Sequence, residues 1–180
     1  MKTHYISTET LTFEQVNRII TEHYQLALSE DAKQRIQKCR DYLDKKMENQ
    51  TVPIYGVTTG FGSLCNVNIS KEDLSTLQKN LVMSHACGTG DLVPEEIIRI
   101  MLLLKIQNMS YGNSGVQLVT VQRLIDFFNN DVLPVVYDLG SLGASGDLAP
   151  LANLMLPLLG LGEVHYKGEI RPAAEVCAIF

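Results

Sequence analysis

Residues 140–150 read GSLGASGDLAP, with Gly140, Gly143 and Gly146 three apart and Asp147 directly after the Ala144-Ser145-Gly146 triplet. Three chemistries fit such a phrase. A serine between glycines is the nucleophile of a hydrolase elbow, but the G-x-S-x-G pattern needs glycine where Asp147 stands and a strand before the serine. LPVVYDLGSLG offers at most a few extended residues there. The second chemistry is backbone cyclisation, in which the amide nitrogen of Gly146 attacks the carbonyl carbon of Ala144. That demands a very tight turn, small side chains and glycine at the attacking nitrogen. Ser145 can then lose its hydroxyl as water, leaving an exocyclic alkene on a five-membered ring near the positive end of a helix dipole. The third reading is a turn in which Asp147 caps the apolar helix that follows. On the triplet alone, the turn stands.

Two other stretches carry candidate chemistry. YGVTTGFGSL (residues 55–64) is a glycine-punctuated loop headed by Tyr55. Gly56, Gly60 and Gly62 suit a loop bending over a ligand, and equally an ordinary turn. Tyr55 is either a half-buried loop aromatic or a base, the latter only in a site that favours its phenolate. LQKNLVMSHACG (residues 77–88) brings Ser84 and His85 near a helix C-terminus. A histidine there is more often structural than a ligand. With four histidines (His4, His23, His85 and His165), a Ser-His-acid triad has no supporting pattern, and neither a Walker sequence nor GxGxxG occurs.

Positioning these residues falls mainly to helices. Thr12 and Gln15 form a capping box ahead of Phe13, Val16, Ile19, Ile20 and Tyr24. A second helix carries Ala32, Ile36, Cys39, Leu43 and Met47 on one stripe. Ser70 and Asp73 open a third, with Leu74, Leu77 and Leu81 as its apolar side. Pro94-Glu95-Glu96 reads as an acidic first turn, and the following IIRIMLLLKI, apolar nearly all round, predicts a helix packed on several sides. Ser114 with Gln117 is expected to cap the next helix, which runs to Phe127 and Phe128. Residues 148–159 are expected to form one apolar helix, and EVHYKGEI a hairpin turning at Lys167-Gly168. The chain stops at AAEVCAIF, an uncapped apolar phrase expected of a piece of something larger or of a chain continued by a partner. The fold class is mainly α.

The totals narrow the function. The 180 residues are enough for a sizeable core without disulfide or metal staples. A net charge of -5 gives no footprint for nucleic acid or an anionic membrane. Cys39, Cys65, Cys87 and Cys177 are scattered with no CxxC pair, against a zinc site or a disulfide framework and in keeping with free thiols in a reducing cytoplasm. MKTHYISTETLTF lacks a signal core, and LAPLANLMLPLLGLG is too short to span a membrane.

GSLGASGDLAPLA, together with the tyrosine loop and LQKNLVMSHACG, resembles the aromatic amino-acid ammonia-lyases. The three motifs fall in the family's order, at family-like separations, over essentially the whole chain. The resemblance implies the N-terminal part of a helical, fumarase/aspartase-like fold with a small β-hairpin near its C-terminal end. Residues 1–180 would be a single N-terminal domain, truncated relative to the family. Ala144, Ser145 and Gly146 would become a 4-methylidene-imidazol-5-one (MIO) electrophile, helped by Asp147, with no metal or nucleotide. Tyr55 would take the substrate's β-proton. Ser84, His85 and Gly62 would bind the substrate, and Ser84-His85 is similar to the histidine-selective pattern, since an imidazole can hydrogen-bond an imidazole. The implied reaction takes L-histidine to trans-urocanate and ammonia, the first step of histidine degradation, in a cytoplasmic homotetramer without nucleic-acid or membrane partners. The isolated chain would be inactive, because the remaining pocket groups lie outside it. The alternatives are a non-catalytic fragment or interaction module, and a tyrosine or phenylalanine ammonia-lyase or aminomutase of the same family.

Overall fold

The first local signal to reach structure is the capping box. In the computed structural model, which describes residues 2–48, 52–140 and 148–179, Gln15 N donates to Thr12 Oγ1 at 3.2 Å and Thr12 N to Gln15 Oε1 at 2.8 Å. They start helix α1 (Phe13–Thr21), which joins strands β1 (Thr3–Ile6) and β2 (Gln25–Leu28). These strands pair in parallel, Thr3 opposite Gln25 and Ile6 opposite Leu28, as a crossover helix permits. Ile19 and Ile20 of α1 are buried, whereas Phe13 is 92% exposed.

Helix α2 (Glu30–Glu48) buries Ala32 and Ile36 and only half-buries Cys39, Leu43 and Met47, so its expected stripe thins toward its C-terminus. Helix α3 (Leu74–His85) follows the tyrosine loop and has no buried residue among its twelve, although Leu74, Leu77 and Leu81 are partly covered. Strand β3 (Thr89–Leu92) then leads into α4 (Glu95–Ser110), with Pro94 as N-cap and Glu95 and Glu96 where the dipole favours acid. Ile98, Leu102, Leu103 and Ile106 of α4 are fully buried, but Ile97 and Leu104 stay about half exposed. The helix is packed over a broad face, and the side carrying Ile97 and Leu104 is left uncovered among the described residues.

Helix α5 (Leu118–Asn129) supplies Val121, Leu124, Ile125, Phe127 and Phe128 to the same core. It begins after Gln117, which makes no side-chain cap, so the expected Ser114–Gln117 cap is not formed. At its other end Asn129 acts as a substitute strand. Its Oδ1 accepts from Leu26 N at 2.8 Å and its Nδ2 donates to Leu26 O at 2.9 Å, fastening α5 to β2.

Strands β4 (Leu133–Pro134) and β5 (Tyr137–Leu139) precede the serine motif, and β5 pairs antiparallel with β3. The helix expected over 148–159 is two pieces: α6 (Leu148–Met155), then a 3₁₀ turn over Leu156–Leu159. Pro157 lacks the N–H that an α-helix would use. Strands β6 (Glu163–Tyr166) and β7 (Glu169–Pro172) form the expected hairpin, with Lys167 (φ 54°) and Gly168 (φ 82°) both left-handed, as a type I′ turn requires. Strand β4 adds to the hairpin as a third strand, and α7 (Ala173–Cys177) folds Ala173 and Val176 into the core.

Candidate active site

The tyrosine loop is built by its own threonines. Ile54 N donates to Thr58 Oγ1 at 2.8 Å, Gly56 N donates to Thr59 Oγ1 at 3.2 Å, and Thr59 is fully buried. Gln78, on α3, donates from Nε2 to the carbonyls of Gly56 and Val57, both at 3.1 Å, and so ties the loop to the helix. Tyr55 itself stands 61% exposed, and its Oη accepts the N–H of Gly62 at 3.4 Å. Gly62 opens a short 3₁₀ turn at φ 57° with nothing within 4 Å of where a β-carbon would lie. Its glycine is therefore required by backbone conformation and not by crowding.

Phe61 joins this loop to the helix end. Its ring centroid lies 5.5 Å from that of Tyr55 and 5.6 Å from that of His85, the second pair edge-on at 81°. Gly56 makes room for it, because a β-carbon there would stand 2.6 Å from Phe61 Cε1. His85 is half-buried at the end of α3, with Nδ1 2.7 Å from the Leu81 carbonyl. The Ser84 hydroxyl donates to the same carbonyl at 3.1 Å.

The segment before α6 is bracketed by contacts between its flanks. A β-carbon on Gly140 would lie 3.1 Å from Ala149 Cβ and from Pro150 Cδ, so the chain leaves and re-enters at nearly one place. The flanks also meet the His85 region. Strand β3 pairs with β5, α3 packs on α6, and Gly88 sits where a β-carbon would reach Asn153 Nδ2 at 2.3 Å and Tyr137 Cβ at 3.3 Å. Asn153 is buried on α6, and its Nδ2 has no hydrogen-bond partner among the described residues. Ala144, Ser145, Gly146 and Asp147 lie outside the described residues.

Tyr55, Gly62 and His85 are thus linked through the Phe61 ring and the Gly62 N–H, and α3, which ends at His85, packs on α6, the helix after the serine motif. Phe61, Gln78 and Asn153 are functional candidates that motif reading passed over. Phe61 and Gln78 stood inside the quoted stretches, and the signal for Phe61 was an aromatic between two glycines. Among the described residues no cluster of His, Cys, Asp or Glu is arranged to hold a metal, and no helix is long and apolar enough to cross a membrane.

The chain is a mainly helical fold in which a glycine-rich aromatic loop packs on the end of a histidine-bearing helix. The solved structure of tyrosine aminomutase from Streptomyces globisporus matches it with a TM-score of 0.89 at 33% identity, over 99% of this chain and 33% of that one. Histidine ammonia-lyase from Trypanosoma cruzi matches with a TM-score of 0.86 at 31% identity, over 99% of this chain and 34% of that one. A protein named histidine ammonia-lyase from Clostridium tetani is 50% identical over 165 residues, 92% of this chain and 32% of that protein. Residues 11–180 match the aromatic amino acid lyase family model, and the chain belongs to that family. It spans about a third of the length of the curated relatives it matches.

Proposed function

We propose that this chain is the MIO-bearing part of a histidine ammonia-lyase, which converts L-histidine to trans-urocanate and ammonia, and that the rest of a family-length protein completes the pocket. The observation that carries the reading is the Tyr55–Phe61–His85 row, in which an imidazole and a candidate proton acceptor both pack against one phenyl ring. The names of the relatives support histidine as the substrate.

What supports a ring at Ala144-Ser145-Gly146 is the frame around it. Gly140 packs against Ala149 and Pro150, so the residues on either side of the motif lie close together, and the small side chains of the triplet suit the tight turn that backbone closure needs. When formed, the ring would supply an electrophile that takes up the substrate amine and makes it a better leaving group. In this reading Tyr55, its oxygen directed by the Gly62 N–H, takes the β-proton. His85 orients the imidazole side chain, and Phe61 supplies an apolar edge between the two. Gln78 keeps the loop in register with α3. Asp147 assists closure.

Intact mass tests the ring: its formation loses two waters, one from cyclisation and one from Ser145. A mass equal to that of the encoded polypeptide would sink the assignment. In the whole protein, Ser145→Ala is expected to abolish urocanate formation, and full activity in that variant would contradict the role of the ring. A β-amino acid product in place of urocanate would move the protein to the aminomutase branch.

A further inference from the structure

We infer that Gln78 is a positioning residue: its side-chain amide clamps the β-turn that carries Tyr55, and it acts on the reaction through Tyr55. The inference rests on the proposed role of Tyr55 in taking the β-proton, and it names what fixes that group in place.

Tyr55 has little to hold its own ring. It is exposed, its Oη meets the Gly62 N–H at 3.4 Å, and Phe61 lies tilted 5.5 Å away. An exposed side chain takes its position from the backbone beneath it, and here that backbone is a β-turn. Val57 N donates to Ile54 O at 3.0 Å, which puts Tyr55 and Gly56 at the two central positions. Gly56, at φ 70°, supplies the left-handed conformation that the second of those positions takes.

Gln78 holds the far side of this turn. Its Nε2 donates to Gly56 O and to Val57 O, both at 3.1 Å. A primary amide carries two N–H groups, so one side chain satisfies two successive carbonyls. A carboxylate of the same shape has no hydrogen to give, and asparagine stops one methylene short. His85 lies seven residues further along α3, two turns on and on the same face, and its ring meets Phe61 edge-on at 5.6 Å. One face of α3 therefore grips the loop twice, and the grip beside Tyr55 is Gln78. The residue is exposed on a helix with none of its twelve residues buried, so changing it opens no core.

The test has two arms. The first is a double-substitution cycle in the whole protein, read as urocanate formation. Gln78→Met keeps the length of the side chain without a donor, and Gln78→Glu keeps its shape but offers only acceptors when ionised. Each is expected to lower kcat on histidine about tenfold, the scale of one hydrogen bond, with KM changed less than about twofold. In a Tyr55→Phe background the same changes are expected to cost less than about twofold more, because the group being positioned is gone. Equal losses in the two backgrounds, or full kcat in Gln78→Met, overturn the inference. The second arm uses the 180-residue chain and amide hydrogen exchange. In Gln78→Met the Val57 and Thr58 amides, which close the turn on Ile54 O, are expected to exchange about tenfold faster, while those of α4 are unchanged. Unchanged exchange at Val57 and Thr58 overturns the clamp. Absence of turnover in the unsubstituted whole protein refutes the enzyme reading, and the exchange rates then decide the clamp alone.

Discussion

At the scale of single residues, the candidate site consists of groups whose neighbours determine what they can do. Tyr55 is exposed and, among the described residues, its oxygen is met by a backbone N–H, so Tyr55→Phe removes a hydroxyl without opening a cavity. The variant is expected to fold with an unchanged urea midpoint and, in the whole protein under the proposed function, to lose about 10²–10⁴-fold in kcat on histidine, the range for a positioned proton-transfer group. Retained turnover would remove Tyr55 from the mechanism. Gly56 is a sharper probe of geometry. Its backbone is left-handed at φ 70°, and a β-carbon would strike Phe61. Gly56→Ala is expected to cost about 1 kcal/mol through the backbone. It should also displace the ring between Tyr55 and His85, read as a larger loss of kcat/KM than of stability.

At the scale of elements, two junctions hold the frame. Asn129 supplies both hydrogen bonds that Leu26 would otherwise exchange with a neighbouring strand. Asn129→Ala leaves an N–H and a carbonyl unmatched, and a destabilisation of about 1–3 kcal/mol is expected in urea unfolding. A change within a few tenths would mean that water replaces both bonds without loss. Gly112, at φ 70° after α4, touches α2 so closely that a β-carbon would lie 2.7 Å from the backbone of Arg35. Backbone cannot yield as a flexible side chain can, so Gly112→Ala is expected to cost about 1–3 kcal/mol while leaving His85 and Tyr55 in place. Thermal unfolding together with the imidazole nitrogen spectrum checks both halves of that expectation.

At the scale of the whole molecule, the titrating groups favour neutrality over acid. Burial lowers the His4 pKa below its ordinary 6.5. The unfolded chain therefore takes up that proton first, and the stability linked to neutral His4, complete above 6.5, is lost as pH falls through that value toward the folded one. The Lys2 hydrogen bond lowers the Glu22 pKa below 4.5, and that contribution is lost as pH falls through the folded value. The urea midpoint is expected to drop between about pH 7 and pH 5.5, and His4→Gln is expected to flatten that step. A midpoint constant over the range would exclude His4 as its cause. The openness of the site is also a property of the whole. No residue of α3 is buried, and Tyr55 and Met83 stand 61% and 45% exposed. A β-proton acceptor in open water gains little from its surroundings, so the 180-residue chain alone is expected to form no urocanate in an absorbance assay.

What the sequence determined by itself was local. The Thr12–Gln15 box, the Lys167-Gly168 turn, the acidic start of α4 and the two buried phenylalanines of α5 were legible because each depends on residues within a turn or two of one another. The three motifs were legible as phrases for the same reason. Tertiary structure decided what local pattern could not carry. The parallel pairing of β1 with β2 and the pairing of β3 with β5 join residues far apart in sequence, and neither strand pair shows clean alternation. The Ser114 cap failed because packing of Leu118 onward onto α4 set where α5 begins, and Pro157 divided a run that hydrophobicity alone reads as one helix. Above all, Phe61 between Tyr55 and His85, and Gly88 against Asn153, are contacts between separate elements. Only folding brings the tyrosine loop against His85, and α3 against the helix that follows the Ala144-Ser145-Gly146 segment.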